Sequence, residues 1–318
     1  MNKDTTKNKA LVVGDLMLDE SIFGDANRLT PEGPVPVILK SKTEMTLGGV
    51  GFVARILANL GINVSISSVI GKDDASKHII ECCKEDGIDS SQIIHSEEYK
   101  SIKKTRIYAS GHLVARIDDE EKFYMTETLR ISYLEKVSNL LKSGEFKVCI
   151  ISDYDKGFCN PKFIKKIIAL CKENNIITLV DPKTKDVNKF KGASLIKPNS
   201  NEAAKILGVS LDDLPKPENV VENISKSLDI SNVLFTRGSK GMILYSEGSL
   251  TDISAVKQEV FNVVGAGDTV IAGLCAGLIS GFSIKESSLI ANDLAGEIVS
   301  KLSRKIKPSK GIRKKLGI

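Results

Sequence analysis

The segment Asn262-Val-Val-Gly265-Ala266-Gly267-Asp268-Thr269, followed at once by the apolar run VIAGLCAGLIS, sets a carboxylate in a glycine-rich helix start. The first turn of a helix leaves backbone N–H groups without intrahelical partners. With the positive end of the helix dipole, these favour a phosphate or a developing oxyanion. An acid beside such a nest suits removal of a proton from a hydroxyl attacking phosphorus. It equally suits simple complementation of the dipole, so the segment alone leaves both readings open.

Other candidates follow apolar β-branched runs. Leu11-Val-Val-Gly14 leads into Asp15 and Asp19, two acceptors for sugar hydroxyls, or merely a polar loop. Gly48-Gly49-Val-Gly51 opens a helical pattern that includes Phe52, and glycines there allow close approach of a ligand to the backbone. Lys197-Pro-Asn199-Ser-Asn-Glu202 reads as a capping box, with the alternative that Glu202 orders Mg²⁺ and its waters. Asp153-Tyr-Asp-Lys156-Gly157, Asp181-Pro-Lys183 and Thr236-Arg-Gly238-Ser-Lys-Gly241 each follow an expected strand. That shared position would gather them at one sheet edge, where open α/β sheets bind ligands. Arg106 and Arg116 are candidate anion clamps on an inserted hairpin, or else solvated surface charges.

The elements that must position these residues alternate between β-branched runs and helical periods, the pattern of βαβ units around a mostly parallel sheet. Strands are expected at 10–14, 63–70, 147–151, 176–181, 193–197 and 232–236. Helices are expected at 49–60, 74–86, 127–142, 161–173, 200–207, 217–227, 266–280 and 284–302. Residues 20–40 and 101–118 break the alternation and read as antiparallel strands, the second pair turning near Ser110 and Gly111. Strands inserted between βα units do not easily join a parallel core, so a small separate sheet able to cover a cleft is expected. No linker divides the chain, and a single domain over residues 1–318 is expected.

With 42% hydrophobic and 27% charged residues in 318, the composition is that of an ordinary globular protein able to bury a sizeable core. The net charge of +5 is concentrated in the stretch from Lys301 to Lys315, read as a solvated basic end. No aromatic residues interleave those lysines to stack bases, which argues against a nucleic-acid arm. Six cysteines form no C-x-x-C pair and three histidines are scattered, so a zinc site is not expected. No run of 18 apolar residues and no signal-like start point to a membrane or to export, so the default compartment is the cytoplasm.

Taken together, VVGDLMLD, LGGVGFVA, SDYDKG, VDPK, KPNSNE, TRGSKG and NVVGAGDT stand in the order and spacing of the ribokinase/PfkB carbohydrate kinases, which the chain resembles over almost its whole length. GDANRLTPEGPVPV, KKTRIYASGHLVARIDDEE and VDPKTKDVNKFKGASLIKPN look like the branch that phosphorylates O1 of D-glycero-β-D-manno-heptose 7-phosphate. The resemblance implies a ribokinase-like αβα core with a β-sheet lid, Mg²⁺ and ATP as cofactors, and homodimers in which lids meet. It implies Asp268 as catalytic base and Gly265, Ala266 and Gly267 as the anion hole. Asp19 would hold sugar hydroxyls, and Asn199 and Glu202 would serve magnesium through water. Thr236, Gly238, Gly241 and Asn292 fall where the family meets the nucleotide, while Lys156 and Lys183 match positions of the heptose branch.

That branch reads P-G-G-A-A-N-V-A where this chain has Leu47-Gly-Gly-Val-Gly-Phe52-Val-Ala54, so Phe52 replaces an asparagine expected to meet the sugar. Asp293 and Ser303 stand where the branch has small residues. Another sugar as substrate, or a sugar- or nucleotide-binding regulator without turnover, are the alternatives. No H-x-G-H nucleotidyltransferase signature is present, which makes a separate adenylyltransferase the expected pathway partner.

Overall fold

A computed structural model describes residues 8–184, 186–256, 264–300 and 308–318. Asn262 and Ser303 lie outside the described residues, as does most of the stretch that opens the basic end. The strands are β1 (Lys9–Gly14), β2 (Leu16–Leu29), β3 (Pro36–Gly49), β4 (Asn63–Ser67), β5 (Val69–Ile70), β6 (Ile94–His95), β7 (Ile102–Ala109), β8 (His112–Asp119), β9 (Phe146–Asp153), β10 (Ile177–Pro182), β11 (Leu195–Ile196), β12 (Asn232–Thr236), β13 (Met242–Ser246) and β14 (Ser249–Ile253). The helices are α1 (Val50–Asn59), α2 (Asp74–Glu85), α3 (Glu127–Lys142), α4 (Pro161–Glu173), α5 (Ser200–Leu207), α6 (Pro217–Leu228), α7 (Ala266–Ile279), α8 (Ile284–Val299) and α9 (Lys310–Leu316).

Eight strands form one sheet in the order β14-β13-β12-β11-β10-β9-β1-β4. From β4 to β12 every pairing is parallel, and β13 and β14 close the far edge antiparallel. Successive side chains of a strand point to opposite faces, and the two cores divide accordingly. Ala10 and Val12 of β1 face a layer built from α1, α2, α7 and α8, whereas Leu11 and Val13 face α3, α4 and α6. The result is the expected three-layer αβα core.

The strands that break the alternation form a second, four-stranded sheet in the order β3-β2-β7-β8. Its hairpin turns at Ser110 and Gly111, both with positive φ, as the sequence predicts. β2 and β3 run well beyond 20–40 because β2 starts two residues after β1 and β3 runs directly into α1. The smaller sheet is thus rooted at the end of β1, over the edge where the parallel strands terminate.

Besides the short β6, which pairs with β5, two larger elements depart from the expected set. The β13–β14 hairpin turns on Glu247 and Gly248, which have positive φ. The basic end is not wholly solvated: α9 buries Ile312 and Leu316, Arg313 donates to the Asn59 carbonyl at 2.7 Å, and Lys315 pairs with Asp293 at 2.6 Å.

Candidate active site

The chain passes from β1 outward to β4 on one side and later builds β9 to β12 on the other. Such a reversal of strand order opens a crevice at the carboxyl ends of the strands. β1 delivers Asp15 there, β9 delivers Tyr154 and Lys156, β10 Lys183, β11 Lys197 and Asn199, and β12 ends in Thr236. α7 brings its N-terminus to the same place. Gly265 is its N-cap, in the left-handed region at φ 82°, a conformation that costs glycine little.

Asp268, in the first turn of α7, is held by two donors on one oxygen. Its Oδ1 accepts from the Tyr154 hydroxyl at 2.8 Å and from Lys183 Nζ at 2.9 Å. Lys183 Nζ also donates to Asp181 Oδ2 at 2.8 Å and lies 3.9 Å from the centroid of the Tyr154 ring. The other Asp181 oxygen stands 2.8 Å from Nζ of Lys197, a lysine almost wholly buried. Burial works against the charge of Asp181, but Lys183 and Lys197 outweigh it and hold the carboxyl below its ordinary range. Burial likewise opposes the charge on Lys183, and the carboxylates of Asp181 and Asp268 overcome it and keep the ammonium protonated. Burial, and then the Asp268 charge, raise the Tyr154 phenol, which therefore stays a donor.

Lys197 adds a fixed cation beside the helix start, since a methyl group on Gly267 would fall 3.3 Å from its Nζ. Asn199 caps α5: its side chain accepts from the Glu202 amide at 2.9 Å, and its own amide donates to Glu202 Oε2 at 2.8 Å. The capping box read from the sequence is therefore formed, and it uses only one Glu202 oxygen. Burial raises the Glu202 pKa, Lys197 lowers it, and Asp181 raises it again. Thr236 bridges to Asn199 across strand ends, Gly238 and Gly241 bound a single 3-10 turn, and Asn292 of α8 donates to the Ser254 carbonyl at 3.0 Å.

On the side of the smaller sheet, Arg106 donates to Asp19 Oδ1 at 2.6 Å. Gly48 is their neighbour: a methyl group there would fall 2.7 Å from Asp19 Oδ2, so only glycine leaves that carboxylate its place. Gly49 ends β3 and caps α1. Phe52, on α1, packs against the core and reaches Gly265, where an added methyl group would fall 2.4 Å from its Cε1.

The sequence of residues 7–309 matches the pfkB family carbohydrate kinases. The chain belongs to that family. It is accordingly an ATP-dependent carbohydrate kinase. Among curated relatives, the bifunctional protein HldE of Trichlorobacter lovleyi is 37% identical over 297 residues, covering 92% of this chain and 60% of that protein. HldE of Helicobacter pylori strain G27 is 35% identical over 294 residues, 92% of this chain and 63% of that one. The pfkB chain thus spans about three fifths of the length of the relatives it matches. Its fold is that of ribokinase from Arabidopsis thaliana complexed with ribose and ATP, at TM-score 0.74 and 19% identity over 98% of this chain and 99% of that one. Phosphofructokinase-2 from Escherichia coli in complex with potassium matches at TM-score 0.77 and 15% identity, covering 98% of each chain.

Several residues expected at the pfkB site have other engagements. Asp15 is fully buried, and its Oδ2 accepts from the amides of Tyr154 at 2.8 Å and Lys156 at 3.4 Å. It therefore braces the loop after β9 through that oxygen, while its Oδ1 is buried without a hydrogen-bond partner among the described residues. Burial first, and then the Asp153 carboxylate, push its pKa up to about 7. Lys183, expected at the nucleotide, holds Asp181 and Asp268. Lys156 pairs with Glu120 at the end of the β8 hairpin. Arg116 lies directly across from Arg106 in the sheet, but is half-exposed and pairs with Asp118 at 2.8 Å. Asp293 pairs with Lys315 of α9. Tyr154, Asp181 and Lys197 were not given roles by sequence reasoning, although each lies in a motif at a strand end.

Proposed function

We propose that the chain transfers the γ-phosphoryl group of ATP to a hydroxyl of a phosphorylated sugar, O1 of D-glycero-β-D-manno-heptose 7-phosphate, giving the 1,7-bisphosphate. The observation that carries this reading is Asp268 in the first turn of α7, with one oxygen fixed by Tyr154 and Lys183 and the amides of Ala266, Gly267 and Asp268 beyond reach of intrahelical acceptors. As the acceptor oxygen forms its bond to phosphorus, Asp268 takes the hydroxyl proton, the bond to the bridging oxygen breaks, and ADP leaves. The α7 amides and Lys197 stabilise charge on the transferred group, where positioning and electrostatics do most of the work in phosphoryl transfer.

Asp19, Gly48, Gly49, Phe52 and the arginines Arg106 and Arg116 would line the sugar side, with Lys156 released from Glu120 to meet a phosphate. Thr236, Gly238, Gly241 and Asn292 would line the nucleotide side. Glu202, with an oxygen outside the capping box and Asp181 nearby, suits Mg²⁺ held through water, since magnesium keeps several waters and needs few protein ligands. When bound, that ion would offset charge on the phosphates.

The smaller sheet would act as a lid. Its exposed apolar residues Leu29, Leu39, Leu113, Val114 and Ile117 support pairing with a second copy through that sheet, and a homodimer follows from this reading. Relatives named bifunctional HldE support the heptose assignment, in which an adenylyltransferase consumes the product downstream. All six cysteines are free and buried, which supports a reducing compartment such as the cytoplasm, and among the described residues no helix is long and apolar enough to cross a membrane.

A different sugar is the second reading, favoured by Phe52 in place of the branch asparagine. Screening sugars and sugar phosphates for ADP release tests both. Release that requires an added acceptor, fastest with heptose 7-phosphate, is expected. Faster release with another acceptor would move the substrate, and no release with any sugar phosphate would overturn the reading of a phosphorylated sugar as acceptor.

A further inference from the structure

Tyr154 touches the carboxylate proposed as base, although nothing in its motif marks it for a role in the reaction. Its hydroxyl and Lys183 Nζ converge on the same Asp268 oxygen, Oδ1, from 2.8 and 2.9 Å. An oxygen that already accepts from a phenol and an ammonium is a poor proton acceptor. The other oxygen, Oδ2, is the one this arrangement leaves to the substrate. We propose that Tyr154 is a positioning residue that selects Oδ2 of Asp268 as the proton-accepting atom, an inference that rests on the reading of Asp268 as the base.

The surroundings of Tyr154 suit that task. Its amide is held by the buried carboxylate of Asp15 at 2.8 Å, so the backbone that carries the ring is anchored from below. Lys183 packs over the ring at 3.9 Å, which fixes the ring and the second donor together. The same loop is tied to the chain leaving the smaller sheet, because the Phe123 amide donates to the Lys156 carbonyl at 3.1 Å and Lys156 pairs with Glu120. The donor that orients the base therefore sits on a core loop that is hydrogen-bonded to the chain leaving the smaller sheet. A loose phosphoryl-transfer transition state asks more of its base for orientation than for basicity.

The test is steady-state kinetics of Tyr154→Phe with ATP and heptose 7-phosphate, or with the best acceptor from the ADP-release screen. Phenylalanine keeps the ring over which Lys183 lies and removes only the hydroxyl. The expected result is a kcat lowered on the order of tenfold, with KM for both substrates and the melting temperature unchanged. In an Asp268→Asn background the same change should cost nothing further, because the two residues act as a unit. An unchanged kcat, a rise in KM that accounts for the loss, or a full additive loss in the Asp268→Asn background would each overturn the role of Tyr154. Normal turnover by Asp268→Asn alone would instead overturn the reading of the base.

Discussion

The ring of Phe52 lies against Gly265, so closely that a methyl group on that glycine would fall 2.4 Å from Phe52 Cε1. One residue of α1 thereby walls the start of the helix that carries Asp268. The ring also packs against the apolar core, so it combines packing with a place at the candidate site. An asparagine there would offer an amide donor and acceptor where phenylalanine offers only bulk.

Phe52→Asn should therefore change which sugar phosphate is preferred. An unpaired sugar hydroxyl costs about 1–3 kcal/mol, or roughly a five- to hundred-fold change in the ratio of kcat/KM values. The ratio for heptose 7-phosphate against other sugar phosphates is the quantity to measure in both proteins. An unchanged ratio would reduce Phe52 to packing and leave the kinase assignment standing.

If the smaller sheet is a lid, its strands should open more readily than the core. Amides in residues 20–40 and 101–118 should exchange faster than those of β9 in the free protein and gain protection with sugar bound. Equal protection in both states would make the sheet a static wall.

What the sequence reveals and what it hides divide along local and tertiary lines. The hairpin at Ser110 and Gly111 and the cap formed by Asn199 and Glu202 were legible because each is specified within a few residues. The β13–β14 hairpin was not, because its short strands meet at Glu247-Gly248, a weaker turn signal than Asn-Gly. α9 escaped because two apolar residues, Ile312 and Leu316, are all that distinguish it from a solvated basic run. The place of Asp268 in the first turn of α7 was legible from its glycine-rich setting. Tyr154 and Lys197 were not, since their contacts are made between strand and helix ends, Tyr154 with the distant Asp268 and Lys197 with Asp181 of the neighbouring strand. The engagement of Asp15 was hidden for the same reason: its position after β1 suggested a ligand, and only packing shows one of its oxygens facing the amides of the β9 loop.

Asp15 should also give stability a distinctive pH dependence. Folded Asp15 keeps its proton up to about pH 7, whereas the ordinary value is 3.8, so between those limits the folded state binds more protons than the unfolded one. Its contribution is then fully present below the lower limit and declines as pH rises through the upper one, by on the order of 4 kcal/mol in all. Asn at this position keeps a carbonyl for the Tyr154 amide and does not titrate. Urea unfolding from about pH 5 to about pH 8 should show wild type losing stability relative to Asp15→Asn as pH rises. A pH-independent difference would contradict the assignment.

The most direct measurement of the central claim is sugar-dependent ADP release by Asp268→Asn, with ATP affinity and folding measured on the same protein. Asparagine keeps the shape of the side chain at the start of α7 but cannot take up the hydroxyl proton. The expected result is a kcat lowered on the order of 10²–10⁴-fold with ATP binding nearly intact. Near-normal turnover by the folded variant would contradict a role for Asp268 as the base.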